Sequence, residues 1–358
     1  MRNISCRHQN RTFLLVTLMS FLILMLITFW PSTHFGNSLY FGDDLSLTTS
    51  TNPLSFMEGS LAATEKGNVF VVWVEGSSVY LRTSQDYGVK FGNPVLLSKV
   101  SNVNVSSSSP QTGPKIAATE KGNVLVVWVE GNSVYLRSSQ DYGVKFGDPI
   151  LLSNEARIAS SPQISATESG NVYVVWADKN TMSGDIDIIL KRSTDDSMEF
   201  GNGDRLSRKN DILSLSPQII GTERGNVYFV RADKNNMTGE SEIIFRSSSN
   251  NGEDFDRNTP LDKDPGDFTV SVSPEIAGTE RGDAYVVWIE ENVQFKEILD
   301  NGTWFSETVT INNMSSLGFF PQVTATERGD VFLIWVNQIN GTSTKDLLFK
   351  RISHSFLE

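Results

Sequence analysis

The sequence predicts an all-β fold: a six-bladed β-propeller of four-stranded blades, its ring closed by an N-terminal strand and preceded by one transmembrane helix. Three observations carry this. The phrase T-E-x-G-[N or D] occurs six times, at residues 64, 119, 167, 222, 279 and 326, with spacings of 55, 48, 55, 57 and 47 residues. An alternating run rich in Val, Tyr, Phe and Trp follows each copy, as in VFVVWV (69–74) and VYVVWA (172–177), which is the pattern of a strand packed on a pleated surface. The two ends are complementary: the sixth unit stops before its fourth strand, and FGDDLSLT (41–48) matches the pattern of FGNPVLLS (91–98).

Taken in order, residues 1–11 read as a short cytoplasmic tail holding Arg2, Arg7 and Arg11. The uncharged apolar run 12–30 spans about 28 Å as a helix, close to the thickness of a bilayer core. The basic flank sets the tail inside and the remainder outside the cell. The run is long for a signal peptide and no A-x-A site follows it, so an uncleaved single-pass anchor is expected; secretion after signal cleavage is the alternative. Residues 31–40 are a linker and 41–358 the propeller. Five sequons after the apolar run, at Asn104, Asn236, Asn301, Asn313 and Asn340, suit an exported glycoprotein surface. Cys6 is the sole cysteine, so no disulfide joins one part of the chain to another.

Each unit opens on a short strand such as PQISA (162–166), turns at T-E-x-G-N, runs up the aromatic strand and returns along a third, such as VYLR (79–82). A turn of the SQDYGVKFG type then leads to a short outer strand such as PVLLS (94–98). Small residues at the start of the inner strands, Ala63, Ala118, Ala166, Gly221, Gly278 and Ala325, answer the crowding around an axis.

The third turn resembles the Asp-box, or BNR repeat, of sialidase-type propellers. Ser84, Asp86, Gly88 and Phe91 match it, as do Ser139, Asp141, Gly143 and Phe146. Looser copies hold Asp195 and Phe200, then Gly252 and Phe255, then Asp300, Gly302 and Phe305. The box chemistry is local: the acid accepts backbone N–H groups, the glycine takes positive φ and the aromatic packs between sheets. The resemblance implies that the boxes lie on the face opposite a catalytic centre, so they are structural. It also implies an arginine cluster, a tyrosine–glutamate pair and an aspartate for sialidase activity, and no matching arginine signature is found near the first blade.

Function is therefore sought on the opposite mouth. The residue closing each aromatic strand there is Glu75, Glu130, Asp178, Asp233, Glu290 or Asn337. These form either a solvated, hairpin-capping set or a polar mouth for a cation, a basic partner or glycan hydroxyls. Lys115, Gln163, Gln218, Glu275 and Gln322 fall near the axis. Arg231 replaces the tryptophan found at residues 73, 128, 176, 288 and 335, and a buried charge there needs a partner such as Asp233 or Glu240. A cation recurs on the third strand at Arg82, Arg137, Lys191, Arg246, Lys296 and Arg351 and is expected to pair with the T-E-x-G-N glutamates.

The acidic hairpins 177–189 and 232–244 could hold Ca²⁺ without EF-hand spacing; no other cofactor is expected. The dispersal of the three histidines, His8, His34 and His354, argues against a histidine metal site. A net charge of −12 argues against nucleic acid as partner. The expectation is a monomeric recognition module for a cell-surface glycan or protein; the alternative is a sialidase-like exo-glycosidase using paired carboxylates.

Overall fold

A computed structural model describes residues 47, 59–76, 78–98, 113–154, 156–194, 198–207, 212–235, 241–262, 273–290, 292–312, 316–339 and 345–352. The chain divides into two units, Met1–Ser46 and Leu47–Glu358, and everything described belongs to the second. Among these residues there is no α-helix, and no helix long and apolar enough to cross a membrane. The apolar run 12–30 and all but Leu47 of the expected closing strand lie outside the described residues.

Six antiparallel sheets follow one another along the chain. Blade 1 is β1 (Gly59–Ala63), β2 (Val69–Glu75), β3 (Ser78–Ser84) and β4 (Val95–Leu96). Blade 2 is β5 (Lys115–Ala118), β6 (Val124–Glu130), β7 (Ser133–Ser139) and β8 (Ile150–Leu151). Blade 3 is β9 (Arg157–Ala166), β10 (Val172–Asn180), β11 (Ile186–Ser193) and β12 (Asp204–Arg205). Blade 4 is β13 (Ile212–Gly221), β14 (Val227–Asn235), β15 (Ser241–Ser248) and β16 (Thr259–Pro260). Blade 5 is β17 (Glu275–Gly278), β18 (Ala284–Glu290) and β19 (Asn292–Leu299), whose outer edge pairs with both β20 (Trp304–Phe305) and β21 (Val309–Thr310). Blade 6 has, among the described residues, the three strands expected of the sixth unit, β22 (Ser316–Ala325), β23 (Val331–Ile339) and β24 (Lys345–Ile352).

The inner strands pack in sequence order, β1 on β5, β5 on β9, β9 on β13, β13 on β17 and β17 on β22. The cores therefore lie between blades. Phe70, Val72 and Leu81 of blade 1 meet Val124, Val126 and Trp128 of blade 2 in one cluster, and the same arrangement joins each following pair. Apolar side chains alternate across a pleated strand, so each sheet offers one face to each neighbour.

The recurrent phrase has a physical role at every letter. Threonine opens a tight turn whose hydroxyl accepts the N–H of the residue four on, as Thr222 does for Asn226 at 3.1 Å. The glutamate reaches back to the preceding blade. Glu120 accepts the N–H of Glu65, Glu168 that of Glu120, Glu223 that of Glu168, Glu280 that of Glu223 and Glu327 that of Glu280. The asparagine reaches forward: Asn171 donates to Asn251 and Asn226 to Asn301, the latter at 2.8 Å. Gly122 has φ +94°, and a Cβ there would stand 2.8 Å from the Tyr142 ring that covers it; only glycine fits both demands.

The box-like turns are built as the local chemistry requires. The Ser139 hydroxyl donates to Asp141 at 2.6 Å and accepts the Gly143 N–H at 3.0 Å, while Asp141 accepts the Lys145 N–H at 2.9 Å. These bonds hold the Asp141 carboxyl below its usual range. Blade 1 repeats the pattern with Ser84, Asp86 and Gly88. In blade 4, Asn250 takes the aspartate's place and accepts from Ser248 at 2.8 Å. Phe146, Phe200, Phe255 and Phe305 pack into the core shared with the preceding blade. Asp195 lies outside the described residues, and Asp300 and Gly302 form a short 3-10 turn with no serine.

Candidate functional site

The residues closing the second strands each have a local environment of their own. Glu75 accepts the indole N–H of Trp73 at 3.2 Å, and Glu130 accepts that of Trp128 at 3.1 Å. Glu130 also lines a groove with Leu97 and Ser98 of blade 1, which places it between blades. Asp178 is buried and lies 2.7 Å from Arg157 Nε. Burial raises its pKa, Arg157 opposes that, and nearby Asp187 adds to it. Asn337 is buried with its Oδ1 unpaired among the described residues. Glu290 is half-buried beside Trp288, and its charge reaches Asp262.

Arg231 is fully buried and forms the ion pair with Asp233 that its position demands, Nε to Oδ1 at 2.7 Å and Nη2 to Oδ2 at 2.8 Å. Ser214 donates to the same carboxylate at 2.6 Å, and Arg231 also reaches Leu206 O at 3.2 Å. Glu240 lies outside the described residues.

Two sequence expectations about the third-strand cations need correction. The strand register pairs Val71 with Arg82 and Leu333 with Lys350, so Lys350 is the sixth member of the set. Arg351 points elsewhere and pairs with Asp330 at 2.8 Å. Nor do the cations pair with the T-E-x-G-N glutamates, which are spent on backbone N–H groups. Arg137, Arg246, Lys296 and Lys350 instead donate to carbonyls just past the outer strand of the preceding blade, at Leu97, Leu206, Leu261 and Ile311. Sequence spacing could not separate neighbouring basic residues; the ladder does.

A second site emerges at the axis, where each inner strand places one polar residue. The register sets Ser60, Lys115, Gln163, Gln218, Glu275 and Gln322 at equivalent positions. Gln218 Nε2 donates to Glu275 Oε1 at 3.0 Å. Burial pushes the Glu275 carboxyl up to about 7, and the Lys115 ammonium pulls it the other way. Lys115 belongs to blade 2 and Glu275 to blade 5, so their interaction spans the axis. Gln163 is 9% exposed and its Nε2 has no partner among the described residues.

A device invisible to strand-period reasoning sits just before three of these residues. β9, β13 and β22 are ten residues long and each carries a register shift before Gln163, Gln218 or Gln322. Ser161, Ser216 and Phe320 take φ of 51°, 49° and 49°, each directly before a proline. Positive φ is costly for non-glycine residues and bulges re-aim a strand. The Pro-Gln dipeptides in the sequence were the available signal, since proline cannot donate to a ladder.

In hairpin 177–189 the acids considered for Ca²⁺ are engaged within the protein. Asp187 is taken by Arg157 at 2.9 Å and by Arg205, and Asp185 by Ser183 at 2.7 Å. No group of three or more metal-ligating side chains is gathered among the described residues, and 236–240 lie outside them.

Asp262 was missed by sequence reasoning. It lies two residues past the outer strand of blade 4, is 7% exposed and accepts the Ile243 N–H at 3.2 Å. Ser98, Ser153 and Asn312 do the same job in their blades. Burial pushes its pKa up to about 6; backbone hydrogen bonds oppose this and Glu290 and Glu242 reinforce it. The folded state therefore holds a proton between about pH 4 and 6 that the unfolded state has lost, and stability falls as pH rises through that window. Asp262→Asn keeps an acceptor and removes the charge. It is expected to gain about 2 kcal/mol at pH 7.5 and almost nothing at pH 4, read from denaturant unfolding. Equal effects at both pH values would refute the buried-charge account.

No protein-family model and no curated protein matches the sequence. Solved structures do match the fold. The α-L-arabinofuranosidase Arb93A of Fusarium graminearum is 11% identical with a TM-score of 0.55, covering 83% of this chain and 92% of its own. A PL25 ulvan lyase is 10% identical with a TM-score of 0.54, covering 81% and 77%. The NanB sialidase of Streptococcus pneumoniae is 10% identical with a TM-score of 0.51, covering 81% and 66%. At these identities the likeness establishes the β-propeller fold.

Proposed function

We propose that this protein is a membrane-anchored extracellular propeller that recognises a glycan through its axial mouth, with residues 12–30 as the anchor and 41–48 as the strand completing blade 6. The observation that carries the reading is Glu275. Three sister blades place glutamine at its position, so the carboxyl in blade 5, bonded to Gln218 and within electrostatic reach of Lys115, is a costly exception. Clustered carboxamides, one acid and one ammonium suit the hydroxyls of a sugar, and polar groups converging on a concave site fix orientation. The three structural neighbours named above are an arabinofuranosidase, an ulvan lyase and a sialidase, which favours this class of ligand over a protein.

Hydrolysis is the second reading, favoured by a carboxyl titrating near neutrality, which suits a general acid. Glycosidases use two carboxyl groups about 5–10 Å apart, and the six register-equivalent axial residues include one. Recognition is therefore the better supported function.

The test is a glycan array with the full-length protein at two calcium concentrations, alongside a sialoside and general glycoside hydrolysis panel. The expected result is binding of a glycan, weakened about tenfold or more in Glu275→Gln, with no turnover. Turnover lost in Glu275→Gln would establish the enzyme reading, and absence of any binding would remove the glycan reading.

A further inference from the structure

A cavity of about 400 Å³ lies in the groove between blades 1 and 2, lined by Leu97, Ser98, Trp128, Glu130, Tyr135, Arg137, Asp148 and Pro149. Its aromatic wall is the partly exposed Tyr135, stacked on the buried Trp128 ring with centroids 6.1 Å apart. At its rim stands Asp148, exposed and without a hydrogen-bond or ion-pair partner among the described residues. Trp128 engages one oxygen of Glu130, Oε2.

The equivalent groove, between blades 3 and 4, shows what these positions can hold. There the position of Trp128 is Arg231, whose guanidinium is gripped by Asp233, the counterpart of Glu130. It also reaches Asn258 Oδ1 at 3.4–3.5 Å and lies 5.8 Å from the Phe229 ring. Its remaining bond goes to Leu206 O, the counterpart of Leu97 O, which Arg246 shares at 3.4 Å. So the fold accommodates two guanidinium groups side by side on one carbonyl just past the outer strand. In blade 2 the first is present: Arg137 donates to Leu97 O, Gly147 O and Phe146 O. The place of the second is taken by the Trp128 indole, whose N–H engages Glu130 at 3.1 Å, so a guanidinium from outside would lie beside the ring. Asn258 is replaced by Pro149, and a carboxylate, Asp148, stands next to it.

We propose that the groove between blades 1 and 2 is a binding site for a guanidinium group, the arginine side chain of a basic partner, held between Glu130 and Asp148 against the Trp128–Tyr135 wall. Planar guanidinium matches carboxylates in pairs and stacks on aromatic faces. Arg137 opposes the incoming charge less than its formal charge suggests, because three carbonyl oxygens already face it. The net charge of −12 steers a basic partner toward the surface. The site is separate from the axial mouth and independent of the glycan reading.

The test titrates Nα-acetyl-arginine amide against the full-length protein by saturation-transfer NMR, with Nα-acetyl-lysine amide and methyl α-glucoside in parallel. Saturable binding of the arginine amide is expected at millimolar concentration, as suits one side chain, and about fivefold weaker binding for the lysine amide. Asp148→Asn, an exposed change that spares the fold, is expected to weaken arginine binding about fivefold, and Asp148→Lys to abolish it. Glu275→Gln is expected to leave it unchanged, which separates failure here from failure at the axis. No saturable binding of the arginine amide, equal binding in Asp148→Lys, or competition by the glucoside at this groove would each overturn the proposal.

Discussion

Asp233→Ala is expected to destabilise the fold by about 3–5 kcal/mol in denaturant unfolding, because it strands a buried guanidinium without its counter-charge. Arg231 is 0% exposed, and Asp233 supplies both of its short charge-assisted bonds. The carbonyl of Leu206 and the amide oxygen of Asn258 remain, but neither carries charge. The Ser214 hydroxyl would also lose its acceptor. The reverse experiment uses the repeat as its control: Arg231→Trp with Asp233→Glu installs the Trp128–Glu130 pair of blade 2. Replacing a buried ion pair by well-packed apolar surface is commonly neutral or stabilising, so this double variant is expected to fold at least as well as the wild type. A loss below about 1 kcal/mol in Asp233→Ala would mean that water reaches the guanidinium.

The repeat made the fold legible because its signals are local and recur six times. Glycine after the T-E pair, the alternating aromatic strand and the serine–aspartate turn each answer a backbone demand that the sequence states directly. What it hid were relations between blades. Glu120 is bonded to Glu65 and not to an arginine, and spacing within one blade cannot show that. The correction from Arg351 to Lys350 has the same origin, since two adjacent basic residues differ in face and only pairing with β23 decides which turns inward. The site was half legible. Arg231 and Asp233 stood out as a breach of the repeat, and the inner-strand polar residues were recognised as axial. The bulges at Ser161, Ser216 and Phe320 were not, because a strand period assumes an unbroken ladder. Nor was Asp262, whose charge matters only once its burial is known.

Glu275 is where stability and function are expected to part, and Glu275→Gln separates them. The folded protein holds this carboxyl's proton to about pH 7, whereas an unfolded chain releases it near its ordinary value. Between those limits the native state binds more protons than the unfolded one, so wild-type stability declines as pH rises from about 4.5 to 7. Glutamine has the same shape, no charge and the precedent of Gln163, Gln218 and Gln322. The variant is therefore expected to match the wild type at pH 4 and to exceed it by about 2 kcal/mol at pH 8, an amount smaller than the full shift because solvent reaches the mouth and the attraction to the Lys115 charge is lost. Paired with lost ligand binding, that gain would mark a residue kept against stability, which is how functional positions in otherwise optimised repeats behave. If the variant's advantage over the wild type is no larger at pH 8 than at pH 4, the Lys115 charge compensates the buried carboxylate and Glu275 is structural. Stability gained with ligand binding intact would move the site away from the axis and leave the acid in blade 5 without a role.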